Sequence, residues 1–548
     1  MRSHTVAALF VLLVVGVAAA SPAAAAPSAS GAVQNATSDA ELVAVYPDPV
    51  ARGDPSEFIV VRFARATNTT DWTLTDGKTA AGLPNRTLSG TVALATDPEV
   101  AAELTDHPVV GLDGRLRLAN GGERLRLRHG NETVDSARYR NAPEASVWNA
   151  SRGGWRPLGA TDRDPVRTDG GPATVFVLPD APDMTAETLR DAEDRLLLAG
   201  YTLPSERVAD VLVAAHDRGT TVRVLLDGSP VGGMTDRQAR ILDRLTEAGV
   251  EVRLLTGPYA RYAHHHPKYA VVDDRTLVLT ENFKPSGTGG MSSRGWGVVL
   301  EDAAAADSLA SLHGADRGWR AATPWQTYRE GRTFEHAEPA LGEFETRHEP
   351  QDVSVSSASV LVAPDNAADA VVERIDAADD RVLVQQMTIE GRDNRLLRAV
   401  LRAADRGVTV RVLLSDAHYV AAENAELADW LGRQAEREGW DLEARVDDPD
   451  GYEKIHAKGV VVDGTALVGS LNWGRTAQTE NREMVVALEG GGAADYYASV
   501  FDDDWGGTEE RPLPTALLGG AAVALAAAAL VARRIEFGGR EGTVGWQP

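Results

Sequence analysis

One short segment, written twice, constrains this chain more than anything else in it. HPKYAVVDDRTLVLTENF begins at His266 and HAKGVVVDGTALVGSLNW at His456, and the two align without a gap. The alignment sets His266 on His456, Lys268 on Lys458, Asp273 on Asp463, Thr280 on Ser470 and Asn282 on Asn472. In extended backbone alternate residues share a face, so each His and the Lys two residues later point the same way. Gly459–Asp463 and Ala466–Gly469 read as short buried strands, with Asp463-Gly464 as the hairpin turn between them. Ser470 and Asn472 alternate again. Imidazole, ammonium, hydroxyl and carboxamide thus converge from one rigid hairpin, a cradle for a phosphate and the nucleophile that attacks it. A half-buried strand with a stray histidine would account for one such segment. It does not account for two, in a chain whose only lysines are Lys78, Lys268, Lys284, Lys454 and Lys458.

The duplication extends beyond the motif. A helix over Ala209–Arg218 closed by Gly219, then a buried strand Thr221–Leu226, returns as a helix over Leu397–Arg406, Gly407 and Thr409–Leu414. Both strands carry VRVLL, and Thr174–Val177 opens the first unit as a strand. Residues 170–325 and 355–506 are therefore read as duplicated α/β halves, each a mixed sheet flanked by helices, with 326–354 as a polar linker. Ahead of them, residues 41–162 show short alternating runs such as ELVAVYP, EFIVVRFA and GTVALA between Gly, Pro and Asp turns. That is the pattern of an all-β sandwich.

The pattern H-x-K-x4-D followed by G-S-x-N, present twice in one chain, resembles the phospholipase D superfamily. The downstream copy matches in full, whereas the upstream copy has Leu279-Thr280 in place of Gly-Ser. NREMVV further on carries Glu483, which the resemblance makes the partner of a catalytic histidine. Set letter against letter, RGWGVV puts Trp296 in that place, so the half-sites read as unequal. The resemblance implies phosphodiester cleavage through a phosphohistidine, with His266 as nucleophile and His456 as acid and base. Lys268, Lys458, Asn282, Asn472, Thr280 and Ser470 would hold the non-bridging oxygens. Asp273 and Asp463 sit at strand ends and read as structural, while Glu483 fixes a histidine tautomer. No cofactor or metal is called for. His264-His265-His266 is a poor ligand set, because neighbours in a strand face opposite ways, and His264 and His265 read as pocket rim. The expected partner is a phosphodiester: phospholipid first, nucleic acid as the alternative. Both half-sites lie in one chain, so no obligate oligomer is needed. A rival of another class is a surface binding or scaffold protein with a decayed first half-site, favoured by Thr280 and Trp296.

Within 41–162, VYPDPV, WTLTDG and LANGGERLRL in that order resemble a lamin-tail domain, an immunoglobulin-like fold. That resemblance implies a positioning module without catalytic residues. Sequons start at Asn35, Asn68, Asn85, Asn131 and Asn149, where glycosylation is expected if the chain is secreted.

Composition narrows the field further. Without cysteine, disulfides and thiolate metal sites are excluded. A net charge of −25 with arginine far above lysine suits solubility in concentrated salt, hence a halophilic source. It also weighs against nucleic acid, whose phosphates call for dense Lys and Arg. Arg2 and the apolar run Val6–Ala20 read as a signal peptide spanning 1–26, followed by a linker over 27–40. Thr515–Ala532 carries no charge and is followed by Arg533-Arg534. It reads as a transmembrane helix with a cytoplasmic tail over 533–548, in a single-pass cell-membrane protein whose catalytic halves lie outside.

Overall fold

The computed structural model describes residues 39–506 apart from 52, 337–339 and 341. The leader, the 515–532 span and the tail lie outside the described residues, among which no helix is long and apolar enough to cross a membrane.

The N-terminal region forms two sheets over one core. A six-stranded sheet contains Ala40–Tyr46, Phe58–Asn68 and Thr87–Ala95, and a four-stranded sheet contains Trp72–Thr75 and Arg124–His129. Alternate residues of both, among them Val61, Phe63, Trp72, Leu74, Leu125 and Leu127, share a buried cluster. The period-two alternation of the sequence supplies one apolar face per strand, which is why two sheets close on each other.

Each α/β half has the same plan. In the first, parallel strands Arg195–Gly200, Thr221–Asp227 and Glu251–Leu255 continue through the antiparallel hairpin Tyr269–Val272 and Arg275–Leu279 to Ser293–Glu301. In the second, Arg381–Gln386, Thr409–Leu414 and Leu442–Val446 lead through Lys458–Val462 and Thr465–Gly469 to Glu483–Glu489. The helix expected over Ala209–Arg218 runs Glu206–Asp217, because the Ser205 hydroxyl caps the Val208 N–H; its counterpart runs Arg395–Asp405 from an Asn394 cap. These helices cover the outer faces. The inner faces meet in one core with helices Ala303–Arg317 and Gly492–Gly506 between them.

The segment expected to be a linker is partly sheet. Gln351–Val355 pairs with Gly171–Leu178 at the edge of the first sheet, while Val166–Thr168 pairs with Ser357–Ala363 in the second. Each covers an edge that would otherwise present unpaired backbone groups.

Two buried arginines lock the halves together. Arg294 of the first half pairs with Asp504 of the second (Nε–Oδ2 2.9 Å) and with Asp180, and lies 4.5 Å from the centre of the Tyr452 ring. Arg482 of the second pairs with Asp316 of the first (3.0 Å) and with Asp365, and lies 4.5 Å from the centre of the Tyr262 ring. Removing the Arg482 guanidinium leaves the buried Asp365 without a counter-charge and Asp316 with Arg261 alone. Arg482→Ala should therefore cost about 3–5 kcal/mol in a denaturant titration. Arg402→Ala, at the exposed pair with Asp376, should cost at most about 1 kcal/mol.

Candidate active site

Each motif histidine is pinned to the opposite half. The His266 N–H donates to the Arg482 carbonyl (2.9 Å) and the His456 N–H to the Arg294 carbonyl (3.0 Å). Ser293 and Arg294 pair in parallel with Lys454 and Ile455, and His265 bridges Arg482, so the chain enters each motif beside a segment of the opposite half.

The carboxylates cross over. Glu483, in the second half, lies 2.9 Å from Nδ1 of His266 in the first. Glu281, in the first half, lies 3.1 Å from Nδ1 of His456 in the second. Glu281 stands where Leu471 stands downstream, and the sequence reading missed it. Strand pairing explains the miss: Gly295 is opposite Leu178 as Glu483 is opposite Ala363, so Gly295, not Trp296, occupies the place of Glu483. A Cβ on Gly295 would fall 2.3 Å from Cγ of Glu281, so the glycine leaves the room that the side chain takes. The first half therefore supplies its carboxylate from the neighbouring strand end. Trp296 serves the interface instead, donating to Gln385 (2.7 Å) and stacking on Tyr497, with Gly459 of the downstream motif against its ring.

The remaining expected residues divide. Lys268 Nζ lies 3.0 Å from His266 Nε2, and Lys458 Nζ lies 3.1 and 3.3 Å from the two ring nitrogens of His456. Asn282 is buried and Asn472 half-buried at the ends of the motif strands, and Asn282 Oδ1 has no partner among the described residues. Thr280 and Ser470 fasten the strands that carry the site, and the Ser470 side chain also meets Glu483. Both are fully buried, and their hydroxyls accept the backbone N–H groups of Trp296 (2.9 Å) and Met484 (3.1 Å), fastening hairpin to neighbouring strand. Asp273 and Asp463 sit at the far turns, in the left-handed region at φ 54° and 50°. Each caps three backbone N–H groups, of 193–195 and of 379–381 respectively, and neither reaches the histidines. His264 and His266 both face the Tyr201 ring, at 5.6 and 4.6 Å between ring centres. His264 and His265 line a cavity of about 540 Å³ together with Asp227 and, from the N-terminal sandwich, Glu144.

Burial sets the charge states. It lowers His456 to about 3 and His266 well below the ordinary imidazole range, with both lysines acting in the same direction on His266. It also lowers Lys458 to about 8 and Lys268 well below the usual amine range. Glu483 is pushed up to about 7 by burial against the pull of Lys268, whereas His456 and Lys458 outweigh burial at Glu281 and hold it down. Near pH 7 the imidazoles are thus neutral, the Lys458 amine is still mostly charged, Glu281 is ionised and Glu483 is poised between its two forms. An arriving phosphodiester anion favours protonation of one imidazole.

A duplicated phospholipase D-like fold with one histidine, one lysine and one crossed carboxylate per half is the class that these features define. Residues 186–311 and 371–505 match the family model described as "Cardiolipin synthase, PLD-like domain", so each half carries a phospholipase D-like domain. The mitochondrial cardiolipin hydrolase of Chlamydomonas reinhardtii is 28% identical over 90 residues, 16% of this chain; the match spans only 37% of that relative's length. Among solved structures, phosphatidylserine synthase of Haemophilus influenzae is similar at 15% identity and TM-score 0.43, over 65% of this chain and 94% of that one. The phospholipase D family member Nuc from Salmonella typhimurium is similar at 17% identity and TM-score 0.25, over 29% of this chain and 98% of its own.

Two outcomes follow. Glu281→Gln and Glu483→Gln should each lower kcat on bis(p-nitrophenyl) phosphate by about 10–100-fold, because each carboxylate orients one imidazole. The Lys458 ammonium must be charged to hold a phosphate, so kcat/KM should fall as pH rises through about 8. Lys458→Arg should carry that limb to higher pH.

Proposed function

We propose that the chain is a membrane-tethered, extracytoplasmic phosphodiesterase of the phospholipase D type, cleaving or transferring phosphodiesters of phospholipids through a phosphohistidine. The observation that carries this reading is the crossed pairing, which commits one nitrogen of each imidazole to a buried carboxylate and sets a lysine beside it. In the first step Nε2 of His266 attacks phosphorus, the bond to the leaving oxygen breaks, and His456 gives that oxygen its proton. In the second, His456 takes a proton from water or an alcohol, whose oxygen displaces Nε2 and frees the product. Lys268, Lys458, Asn282 and Asn472 hold the non-bridging oxygens, each such donor contributing on the order of 3 kcal/mol. Glu483 supports His266 by holding its Nδ1 proton and directing Nε2 at the substrate.

The apolar, uncharged run Thr515–Ala532 supports a tether and, with it, a lipid substrate. The reading as a nuclease stays the alternative within the class. The scaffold reading loses its two supports, since Thr280 makes the same backbone bond as Ser470 and Glu281 supplies the carboxylate thought lost. Enzyme quenched in acid during turnover of a labelled phospholipid should carry label on the peptide holding His266, with turnover unchanged by EDTA at fixed ionic strength. Label on the His456 peptide would exchange the two roles. Label on neither would remove the covalent mechanism, and turnover of single-stranded DNA in place of lipid would replace the substrate.

A further inference from the structure

Among the described residues only three large hydrophobic side chains are exposed: Val231 at 81%, Tyr419 at 51% and Met291 at 36%. They are not scattered. Val231 follows the strand Thr221–Asp227 and Tyr419 follows Thr409–Leu414, so the two occupy equivalent loops of the duplicated halves. Both loops touch the walls of the histidines. The Val231 N–H donates to the Tyr201 hydroxyl, and the Tyr201 ring packs on His266. The Tyr419 hydroxyl meets the Met387 sulfur at 3.8 Å, and the Met387 N–H donates to the carbonyl of Ala457, between His456 and Lys458. Met291 precedes Ser292, whose carbonyl accepts the Glu453 N–H, and Ser293, which pairs with Lys454 two residues before His456. One apolar tip thus adjoins the wall of each histidine, and a third adjoins the segment that leads into His456.

The last described residues also lie at this end. Lys458–Val462 runs away from His456 to the Asp463-Gly464 turn, where the Gly491 N–H donates to the Gly464 carbonyl. Helix Gly492–Gly506 starts there and returns, so that Asp504 reaches Arg294 and Gln385 beside the site. Eight residues separate Gly506 from Thr515, where the uncharged apolar run begins, a reach of at most about 30 Å.

We propose that the mouth of the paired site is a bilayer-docking face, with Val231, Met291 and Tyr419 inserted among lipid headgroups while the tether holds the mouth against the surface. The proposal rests on the reading above for its tether. Three separate tips on polar loops do not form the contiguous patch that a protein partner or a second copy would bury. They do suit shallow insertion, which scales with apolar area and needs no continuous surface. With a net charge of −25 the chain offers no attraction to anionic lipid, so docking rests on the apolar tips and the surface it fits is zwitterionic.

The absence of cysteine makes the test direct. Val231→Cys, Met291→Cys and Tyr419→Cys, each in the full chain, would carry an environment-sensitive fluorophore and be reconstituted in phosphatidylcholine vesicles. Asp274→Cys, in the exposed turn at the opposite end, is the control. Labels at the three tips should shift to the blue and lose most of their intensity to doxyl-labelled lipid, while the control stays quenchable by aqueous iodide. Tips that respond like the control would overturn the proposal, as would energy transfer between copies in place of quenching by lipid. The double variant V231E/M291E should keep its rate on bis(p-nitrophenyl) phosphate and lose about tenfold on vesicle lipid, the factor for about one buried side chain. An equal rate on vesicles would count against docking. The fluorescence readout needs no turnover, so a chain that proved inactive on lipid would fail the functional reading and leave this test intact.

Discussion

The site depends on one constraint: neither half can complete itself. Each histidine takes its carboxylate, and its backbone register, from the other half. Two imidazoles, two lysines and two glutamates then share one buried volume. Burying that many ionisable groups costs far more than their separate attractions return. The cost is offset around them by the inter-sheet core and by the Arg294 and Arg482 clusters, which repeat the same crossing with their own aspartates. The geometry of the paired site is thus a property of the interface between the halves.

That constraint also explains which parts were legible. The hairpin, the buried VRVLL strands and the helices before them could be read because each is a local pattern, apolar runs closed by Gly or Asp turns. His266, Lys268, His456 and Lys458 stood out against a lysine-poor background. Glu281 did not, because its role follows from which strand lies beside which. Matching NREMVV to RGWGVV by letters moves Trp296 one residue from its structural counterpart, Met484, and hides Gly295, whose missing side chain is the real signal. The buried arginines were hidden for a similar reason. Their partners Asp504 and Asp316 are distant in sequence, and only the repeats Pro179-Asp180 with Pro364-Asp365 and Tyr262 with Tyr452 hinted at them.

Equal carboxylates do not make the half-sites identical. His266 is walled by the Tyr201 ring and backed by both oxygens of Glu483, whereas His456 has Met387 nearby and one oxygen of Glu281. The firmer hold on His266 suits a nucleophile whose ring must not turn. The looser hold on His456 suits a group that passes a proton out and back. The N-terminal sandwich stands close enough to matter, since its Val50, Ala51 and Glu144 wall the cavity beside His264.

The crossing itself is the central claim, and nitrogen NMR of histidine-labelled protein tests it most directly. Glu483→Gln should shift the Nδ1 resonance of His266 and leave His456 in place, and Glu281→Gln should do the reverse. Each resonance is assigned by its own His→Gln variant. If Glu483→Gln shifts His456 instead, each half completes its own site and the account of a shared one is contradicted.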